Sequence, residues 1–183
     1  MVNDLLFNKF KEKAESVNAE VYRFKDKHEA IKFILAFLEE GNFKSSDFNW
    51  LNNSFLNDSD KRYISEKFPG INFEVSLQSA TQAKVGISEI EWAIANSGTL
   101  VHDATSFDSR IISMLPEVHI AIVSTSKLLE DLASLLNRFH PQKAHYLAFI
   151  TGPSRTADIE RVLTIGVHGP ERLIIVFVDD MGC

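Results

Sequence analysis

Cysteine is nearly missing from this sequence of 183 residues, in which the single example is Cys183. A disulfide within the chain needs two cysteines, and a cysteine-ligated zinc or iron–sulfur site needs several thiolates. Sites of these kinds are therefore excluded for this chain. The six histidines show no spacing typical of metal ligands either. We predict that the chain holds no metal and no cofactor.

Long apolar segments and an excess of basic charge are also lacking. No apolar run approaches the roughly 20 residues of a transmembrane helix, and the opening sequence MVNDLLFNKFKEK has no signal-peptide core. The formal net charge of −6 argues against nucleic acid or an acidic membrane surface as a partner. We expect a cytoplasmic protein with no membrane span and no nucleic-acid partner.

The short motifs that identify common enzyme classes are missing as well. We find no GxSxG elbow, no Walker loop and no dinucleotide-binding glycine fingerprint. Internal repeats, low-complexity runs and clear linkers are equally lacking, and a chain of this length is expected to form a single domain over residues 1–183. The sequence therefore leaves open whether the protein is an enzyme.

The most informative stretch present is residues 151–170, TGPSRTADIERVLTIGVHGP. Two short apolar runs, residues 146–150 and 173–178, flank it, and both are rich in the branched and aromatic residues typical of strands buried on both faces. A loop that follows a buried strand and opens a helix is where α/β folds bind ligands. This stretch is therefore the main candidate site.

Several groups in this stretch are suited to binding an anion. Arg155 carries a planar, permanent charge, and Thr156 is predicted to cap a helix over residues 157–164, whose free N–H groups favour an anion. The candidate ligand-binding residues here are Gly152, Ser154, Arg155, Thr156 and Asp158. The structural alternative is a capped turn, in which Asp158 satisfies the helix donors and Arg155 pairs with Asp158 or Glu160.

A second group of candidates lies outside this loop or at its end. These candidate ligand-binding residues are Ser97, Gly98, Thr99, His168 and Gly169. Ser97, Gly98 and Thr99 offer hydroxyls and an N–H group to an anion, although Ser-Gly-Thr before a strand is also a common turn. His168 is equally consistent with shaping a turn. His102 beside Asp103 resembles a base with its orienting acid, but neighbours on a strand point to opposite faces.

Helix and strand signals alternate along much of the chain. Helices are predicted from Asp4 to Val17, from Asp26 to Gly41, and over residues 61–67, 88–96, 108–114, 128–139 and 157–164. Strands are predicted over residues 21–24, 71–77, 98–102, 118–123, 146–150 and 173–178. Alternation of this kind predicts an α/β fold with a mainly parallel sheet and helices on both faces.

The segment GPSRTADIE followed by GVHGP resembles the signature of the LUD-domain family, in particular its lactate-utilisation members, the LutC/YkgG-like proteins. The resemblance extends upstream to WAIANSGTL and Arg110 and covers about residues 85–178, the motif-bearing core. Residues 1–80 form a more divergent, helical N-terminal part. Where the family usually reads AETGTL, Asn96 replaces an acid and Ser97 replaces a threonine.

The resemblance implies a three-layer fold like that of the ribose-phosphate isomerases and CoA transferases. It also implies a subunit or accessory of a system that oxidises L-lactate to pyruvate, with partner subunits that carry iron–sulfur clusters. The scarcity of cysteine fits a subunit without a redox centre of its own. The residues leave a second function open, a stand-alone enzyme or binding protein for a small phosphorylated, carboxylated or CoA-linked metabolite.

Overall fold

The computed structural model describes residues 4–51, 54–71, 73–138, 146–157, 163–165 and 168–182. The helices in these ranges are α1 (Asp4–Ser16), α2 (Lys27–Glu40), α3 (Asp58–Lys67), α4 (Leu77–Gln82), α5 (Phe107–Met114) and α6 (Leu132–Leu136), with short 3₁₀ turns at Ser45–Asp47 and Thr125–Lys127. The strands are β1 (Glu20–Asp26), β2 (Phe48–Trp50), β3 (Val85–Ile90), β4 (Trp92–Ile94), β5 (Thr99–Asp103), β6 (Val118–Ser124), β7 (Leu128–Leu129), β8 (Leu147–Ile150), β9 (Arg155–Ala157), β10 (Leu163–Ile165) and β11 (Arg172–Asp180).

The centre of the molecule is a five-stranded sheet in the order β1-β11-β6-β3-β2. Every neighbouring pair in it is parallel, and Ile120 lies opposite both Ile174 and Ile87. Strands β6 and β11 are almost entirely buried, which explains why their sequences are continuous apolar runs rather than alternating ones. The predicted α/β fold with a mainly parallel sheet is confirmed.

The two faces of this sheet bury different apolar clusters. Side chains of α2 and α3 pack with Ile122 and Val176 on one face. Side chains of α1 pack with Val123 and Ile175 on the other. Because successive strand residues point to opposite faces, these neighbouring positions separate into two cores. Helices therefore cover both faces, as predicted.

A second sheet, in the order β7-β4-β5-β8, was not predicted. Its strands pair mostly antiparallel, and Ala93 and Leu100 pack in the same cluster as Ile175 of the central sheet. The predicted strand over residues 146–150 is present as β8, but it lies at the edge of this second sheet, and Phe149 is 51% exposed. The expectation that this strand is buried on both faces is therefore wrong.

Local capping signals predicted several helix boundaries correctly. The Asp26 carboxylate accepts a hydrogen bond from the Glu29 N–H at 2.9 Å and so begins α2. The helix ends at Glu40, next to the predicted boundary at Gly41. A glycine after a helix often takes a left-handed φ, but Gly41 has a φ of −74° and the left-handed residue is Asn42, with φ of 53°. The predicted helices near residues 61–67 and 108–114 are present as α3 and α5.

Two predicted helices are strands in the structure. The helix over residues 88–96 is wrong, because this segment forms β3 and β4, and Ser88 is buried with its Oγ 2.8 Å from Nε2 of His119 on the adjacent β6. The helix over residues 157–164 is also wrong at its described ends, because β9 and β10 pair antiparallel and Thr156 lies opposite Thr164 instead of capping a helix. Residues 158–162 lie outside the described residues.

Two further predictions fail because pairing or capping overrides the local pattern. The helix over residues 128–139 is shorter, since Leu128 and Leu129 form β7 beside β4, and the Asp131 carboxylate accepts the Ser134 N–H to begin α6. The alternating segment 71–77 is not a strand where it is described, since Ser76 accepts the Ser79 N–H and begins α4. Residues 72 and 139 lie outside the described residues.

Candidate functional site

The fold brings together two motifs that are far apart in the sequence. Strands β5 and β8 pair antiparallel, which places the Ser97-Gly98-Thr99 turn beside the start of the 151–170 stretch. The hydroxyl oxygens of Thr99 and Thr151 lie 2.8 Å apart. The proximity of these two groups of candidate residues is thus a consequence of strand pairing in the second sheet.

Both motifs pack against the C-terminal end of α1. Gly98 and Gly152 have left-handed φ angles of +64° and +73°. A Cβ atom on Gly98 would collide with the backbone nitrogen of Ala14, and one on Gly152 would lie 2.6 Å from the carbonyl oxygen of Val17. Only glycine combines this backbone conformation with so close an approach. The two glycines therefore allow the C-terminal end of α1 to pack closely against both motifs.

Arg155 is exposed and points to the same helix end. Its Nη2 donates a hydrogen bond of 2.6 Å to the carbonyl oxygen of Val17, where the C-terminal end of α1 favours a positive charge. The alternative pairing with Asp158 or Glu160 falls on acids outside the described residues. The guanidinium thus has a structural contact, and its role in binding an anion stays a prediction.

The turn at residues 168–170 completes this cluster. The Ser154 N–H donates to the carbonyl oxygen of Pro170 at 2.8 Å, and a Cβ atom on Gly169 would lie 3.2 Å from the Cβ of Ser154. His168 is exposed, as is Ser97 in the neighbouring turn. Apart from Asp158, which lies outside the described residues, the predicted site residues therefore belong to one region.

This region lies at the amino ends of the central strands. The turn that contains Pro170 leads directly into β11, and the Glu171 N–H donates to the Glu117 carbonyl just before β6. The sequence predicts instead a loop at the carboxyl end of a buried parallel strand, where α/β proteins usually bind ligands. Because β8 belongs to the second sheet, that prediction is wrong.

The opposite, carboxyl edge of the central sheet carries two adjoining cavities of about 420 and 410 Å³. Both are lined by Ser54, Glu89, Ser124 and Lys127, and we call this region the carboxyl-edge groove. These residues follow or end three parallel strands, β2, β3 and β6. The volumes are in the range of small-molecule binding sites.

Glu89 is held by neutral donors. One carboxylate oxygen accepts the Ser54 N–H at 3.0 Å and the Phe55 N–H at 3.1 Å, and the other accepts the Ser54 hydroxyl at 2.9 Å. These three donors come from the loop after β2, so they fix the carboxylate at the end of the sheet. Glu89 therefore has a defined orientation in the groove without a cationic partner among these contacts.

Lys127 approaches the groove from the 3₁₀ turn after β6. Its Nζ lies 4.6 Å from the centroid of the Trp92 ring, and the Arg138 guanidinium carbon lies 5.8 Å from the same centroid. A cation over an aromatic face is held by the ring quadrupole while its N–H groups stay available. The Ser124 and Ser126 hydroxyl oxygens are 2.8 Å apart in the same turn.

A slightly larger cavity, of about 490 Å³, lies between α2 and the edge strand β1. Its Arg172 and Glu20 side chains bind one another through two hydrogen bonds of 3.0 and 3.2 Å, and Arg172 also lies over the Phe37 ring. Arg172, which supplies the positive charge in this lining, is thus already paired, so the carboxyl-edge groove is the better candidate for recognising an anionic ligand.

Two buried histidines form a polar cluster between the sheets. His119 bonds Ser88, as described above, and burial lowers its pKa to about 3, with a smaller contribution from the nearby charge of His102. His102 Nε2 lies 3.1 Å from the carbonyl oxygen of Ser109, and its Nδ1 lies 3.3 Å from the Glu91 carboxylate. Both side chains are at most 1% exposed, so this cluster belongs to the interior of the protein and is not open to a ligand from solvent.

Neither Glu89 nor Lys127 is predicted as a site residue from the sequence. The local pattern places Glu89 in the predicted helix over residues 88–96, because Ser88 and Glu91 resemble a helix cap. Lys127 directly precedes the predicted helix over residues 128–139. The available signal was the polar sequence Ser-Thr-Ser-Lys directly after the buried strand β6. Polar residues at that position mark the carboxyl edge of a parallel sheet.

Comparison with known proteins identifies the relatives of the chain. The family model described as LUD domain matches residues 7–178. The chain belongs to the LUD-domain family. A lactate utilization protein C of Exiguobacterium sp. is 40% identical over 114 residues, which are 59% of this LUD-domain chain and 50% of that protein. A lactate utilization protein C of Halalkalibacterium halodurans is 36% identical over 110 residues, 57% of this chain and 48% of that one.

The LUD-domain chain thus spans about half the length of these curated relatives. A crystal structure of a DUF162 family protein from Deinococcus radiodurans superposes with a TM-score of 0.57 at 15% identity and covers 96% of this chain and 97% of that one. At this identity the likeness concerns the fold alone.

Within the described residues, no helix has the length and apolar character to cross a membrane, and no group of three or more potential metal ligands occurs.

Proposed function

We propose that this LUD-domain chain is a subunit or accessory of a cytoplasmic system that oxidises L-lactate to pyruvate, and that it has no redox centre of its own. The observation that carries the proposal is its identity of 40% and 36% to proteins named lactate utilization protein C. Because the chain spans about half of those proteins, their activity is extended to it as part of the proposal.

The proposed partners are oxidoreductase subunits with iron–sulfur clusters. Oxidation of lactate to pyruvate releases two electrons and two protons, and the electrons need an acceptor. The single Cys183 cannot bind a cluster that requires four protein ligands. We therefore propose a cluster on a partner subunit as the acceptor of these electrons.

Deletion of the gene in its host tests the proposal. The deletion strain should grow normally on glucose and poorly on L-lactate, and a plasmid copy of the gene should restore growth on lactate. A tagged chain should copurify with a protein that contains iron and sulfide. Normal growth of the deletion strain on L-lactate as sole carbon source would overturn the proposal.

The purified chain alone provides a second test. It should contain no stoichiometric iron or sulfide and should oxidise lactate weakly or not at all, whichever acceptor is added. Rapid lactate turnover by the pure chain, or a cluster that survives purification, contradicts the proposed division of roles.

A second candidate function is that of a stand-alone enzyme or binding protein for a small phosphorylated, carboxylated or CoA-linked metabolite. The carboxyl-edge groove favours it, because Glu89 and Lys127 bring charges of opposite sign to one cavity. Neighbouring genes distinguish the two candidates, since genes for cluster-binding oxidoreductase subunits next to this one favour the first.

A further inference from the structure

The carboxyl-edge groove differs from the rest of this edge in the state of its charges. Nearby, Arg23 binds Asp179 through two hydrogen bonds of 2.8 and 3.1 Å, and Lys27 lies 2.8 Å from Asp60. Burial raises the pKa of Asp179, but the hydrogen bonds and charge of Arg23 help to lower it overall. Glu91, which also lines the groove, lies 3.3 Å from His102 and accepts a hydrogen bond from the Asp103 N–H at 2.6 Å. The carboxylates of Asp179 and Glu91 are therefore already held by partners within the chain.

Glu89 and Lys127 are not paired in this way. Among the residues that the structure describes, none of the ion pairs involves either side chain. Glu89 is oriented by neutral donors of Ser54 and Phe55, and Lys127 by the Trp92 face. The groove thus presents a fixed acceptor and a cation, each with hydrogen-bonding capacity left for a ligand.

We propose that the carboxyl-edge groove binds a small carboxylate that carries a hydrogen-bond donor on the adjacent carbon, a 2-hydroxy or 2-amino acid. Lys127 and the hydroxyls of Ser124 and Ser126 bind the carboxylate of the ligand. Glu89 accepts a hydrogen bond from its hydroxyl or ammonium group. Glu89 is half-buried and already oriented, so it discriminates against an analogue without the donor, because the acceptor then loses part of its hydration without gaining a partner.

The volume of about 420 Å³ leaves space beyond a three-carbon acid, so the groove also accommodates a longer side chain or water molecules. The positions of Lys127, Ser124 and Glu89 around one cavity support the site. Only the choice of L-lactate as the first probe rests on the proposed function.

The test is calorimetric or NMR titration of the complete chain with L-lactate, L-alanine and propionate. Propionate has the same three-carbon skeleton but no donor on the adjacent carbon. We expect L-lactate or L-alanine to bind at least tenfold more tightly than propionate. Equal affinity for all three acids, or no binding of any of them, would overturn the proposal.

Two substitutions assign the effect to the groove. Lys127→Met keeps a linear stem over Trp92 and should weaken binding of every acid at least tenfold, whereas Glu89→Gln should reduce the preference over propionate. Lys67→Met and Glu39→Gln are the matched controls, since these residues form an exposed pair at 3.2 Å outside the groove. Unchanged affinity in Lys127→Met overturns the site even if Glu89→Gln fails to fold.

Failure of the site and failure of the proposed function give different results. If the deletion strain grows on lactate but the purified chain prefers hydroxy or amino acids, the site is retained and the metabolic role is rejected. If growth depends on the gene but no acid binds, the role is retained and the site is rejected.

Discussion

Arg155 places a guanidinium beside the C-terminal end of α1, where it donates to the Val17 carbonyl. If it also binds an anion, Arg155→Ala should weaken that anion roughly 10- to 100-fold, because charge-assisted hydrogen bonds are worth about 1.5–3 kcal/mol. Arg155→Lys should restore only part of the affinity, since a point charge does not reproduce a bidentate fork. If the role is structural, the loss is about 1 kcal/mol of stability.

The measurement is a melting-temperature titration of wild type and Arg155→Ala with phosphate, lactate, pyruvate and CoA. A stabilising response that the substitution removes supports the anion site. Identical responses of both proteins to all four compounds leave the residue with its structural contact to α1 only.

His119 makes the stability of the protein depend on pH. Burial lowers its pKa from 6.5 to about 3 in the folded state. Between these values the unfolded chain binds a proton that the folded chain does not. Stability is therefore fully present above about pH 6.5 and is lost as the pH falls towards 3, with a slope of up to about 1.4 kcal/mol per pH unit.

Replacing this imidazole should flatten the pH profile. In urea unfolding between about pH 4.5 and 7.5, His119→Gln should lose most of the slope that His119 contributes, because the amide does not titrate. His28→Gln is the control, since it removes an imidazole that is exposed. A His119→Gln slope equal to that of wild type would show that another group causes the dependence.

At the level of elements, the contact of α1 with the second sheet depends on glycine at the turn between β4 and β5. Gly98 and Gly70 both have positive φ angles, of +64° and +86°. A Cβ atom added to Gly70 would meet nothing within 4 Å, whereas one added to Gly98 would collide with the backbone of α1. Gly70→Ala should therefore cost only the backbone term of about 1 kcal/mol. Gly98→Ala should cost about 1–3 kcal/mol more.

Chemical denaturation of the two variants measures this difference directly. Because the backbone term is common to both, the excess loss in Gly98→Ala reports the close approach of α1. Equal losses of stability would mean that α1 moves away from the turn at little cost.

For the whole molecule, the central sheet joins the two apolar cores, and we propose that the chain unfolds as a single domain. Trp50 is buried in the core beneath α2 and α3, whereas Trp92 packs in the second sheet. Each variant with one tryptophan, Trp92→Phe or Trp50→Phe, should show a fluorescence transition that coincides with its loss of far-UV circular dichroism. Earlier unfolding at Trp92 would identify the second sheet as a separate unit.

Several elements are predictable because their signals are local. The Asp26 cap begins α2 through a contact three residues away, and the apolar runs of β6 and β11 identify strands that are buried on both faces. The resemblance of the 151–170 stretch also indicates the family correctly. Each of these conclusions depends on neighbouring residues only.

The errors occur where distant residues decide the structure. Ser88 fits a helix cap in the sequence, but pairing of β3 with β6 and the bond to His119 make it part of a strand. Likewise, Leu128 and Leu129 fit a helical face but pair with β4. A local pattern does not contain the partner strand, so it cannot indicate that pairing overrides the helical preference.

The sequence by itself determined the α/β class, the buried strands β6 and β11 and the membership of the LUD-domain family. Only the tertiary structure decided at which edge of the central sheet each polar segment lies. It placed Thr151 and Arg155 beside the C-terminal end of α1, and it brought Glu89 and Lys127 to one cavity at the carboxyl ends of β3 and β6. The reason is that strand order and sheet membership depend on contacts between residues far apart in the chain, which capping and periodicity do not encode.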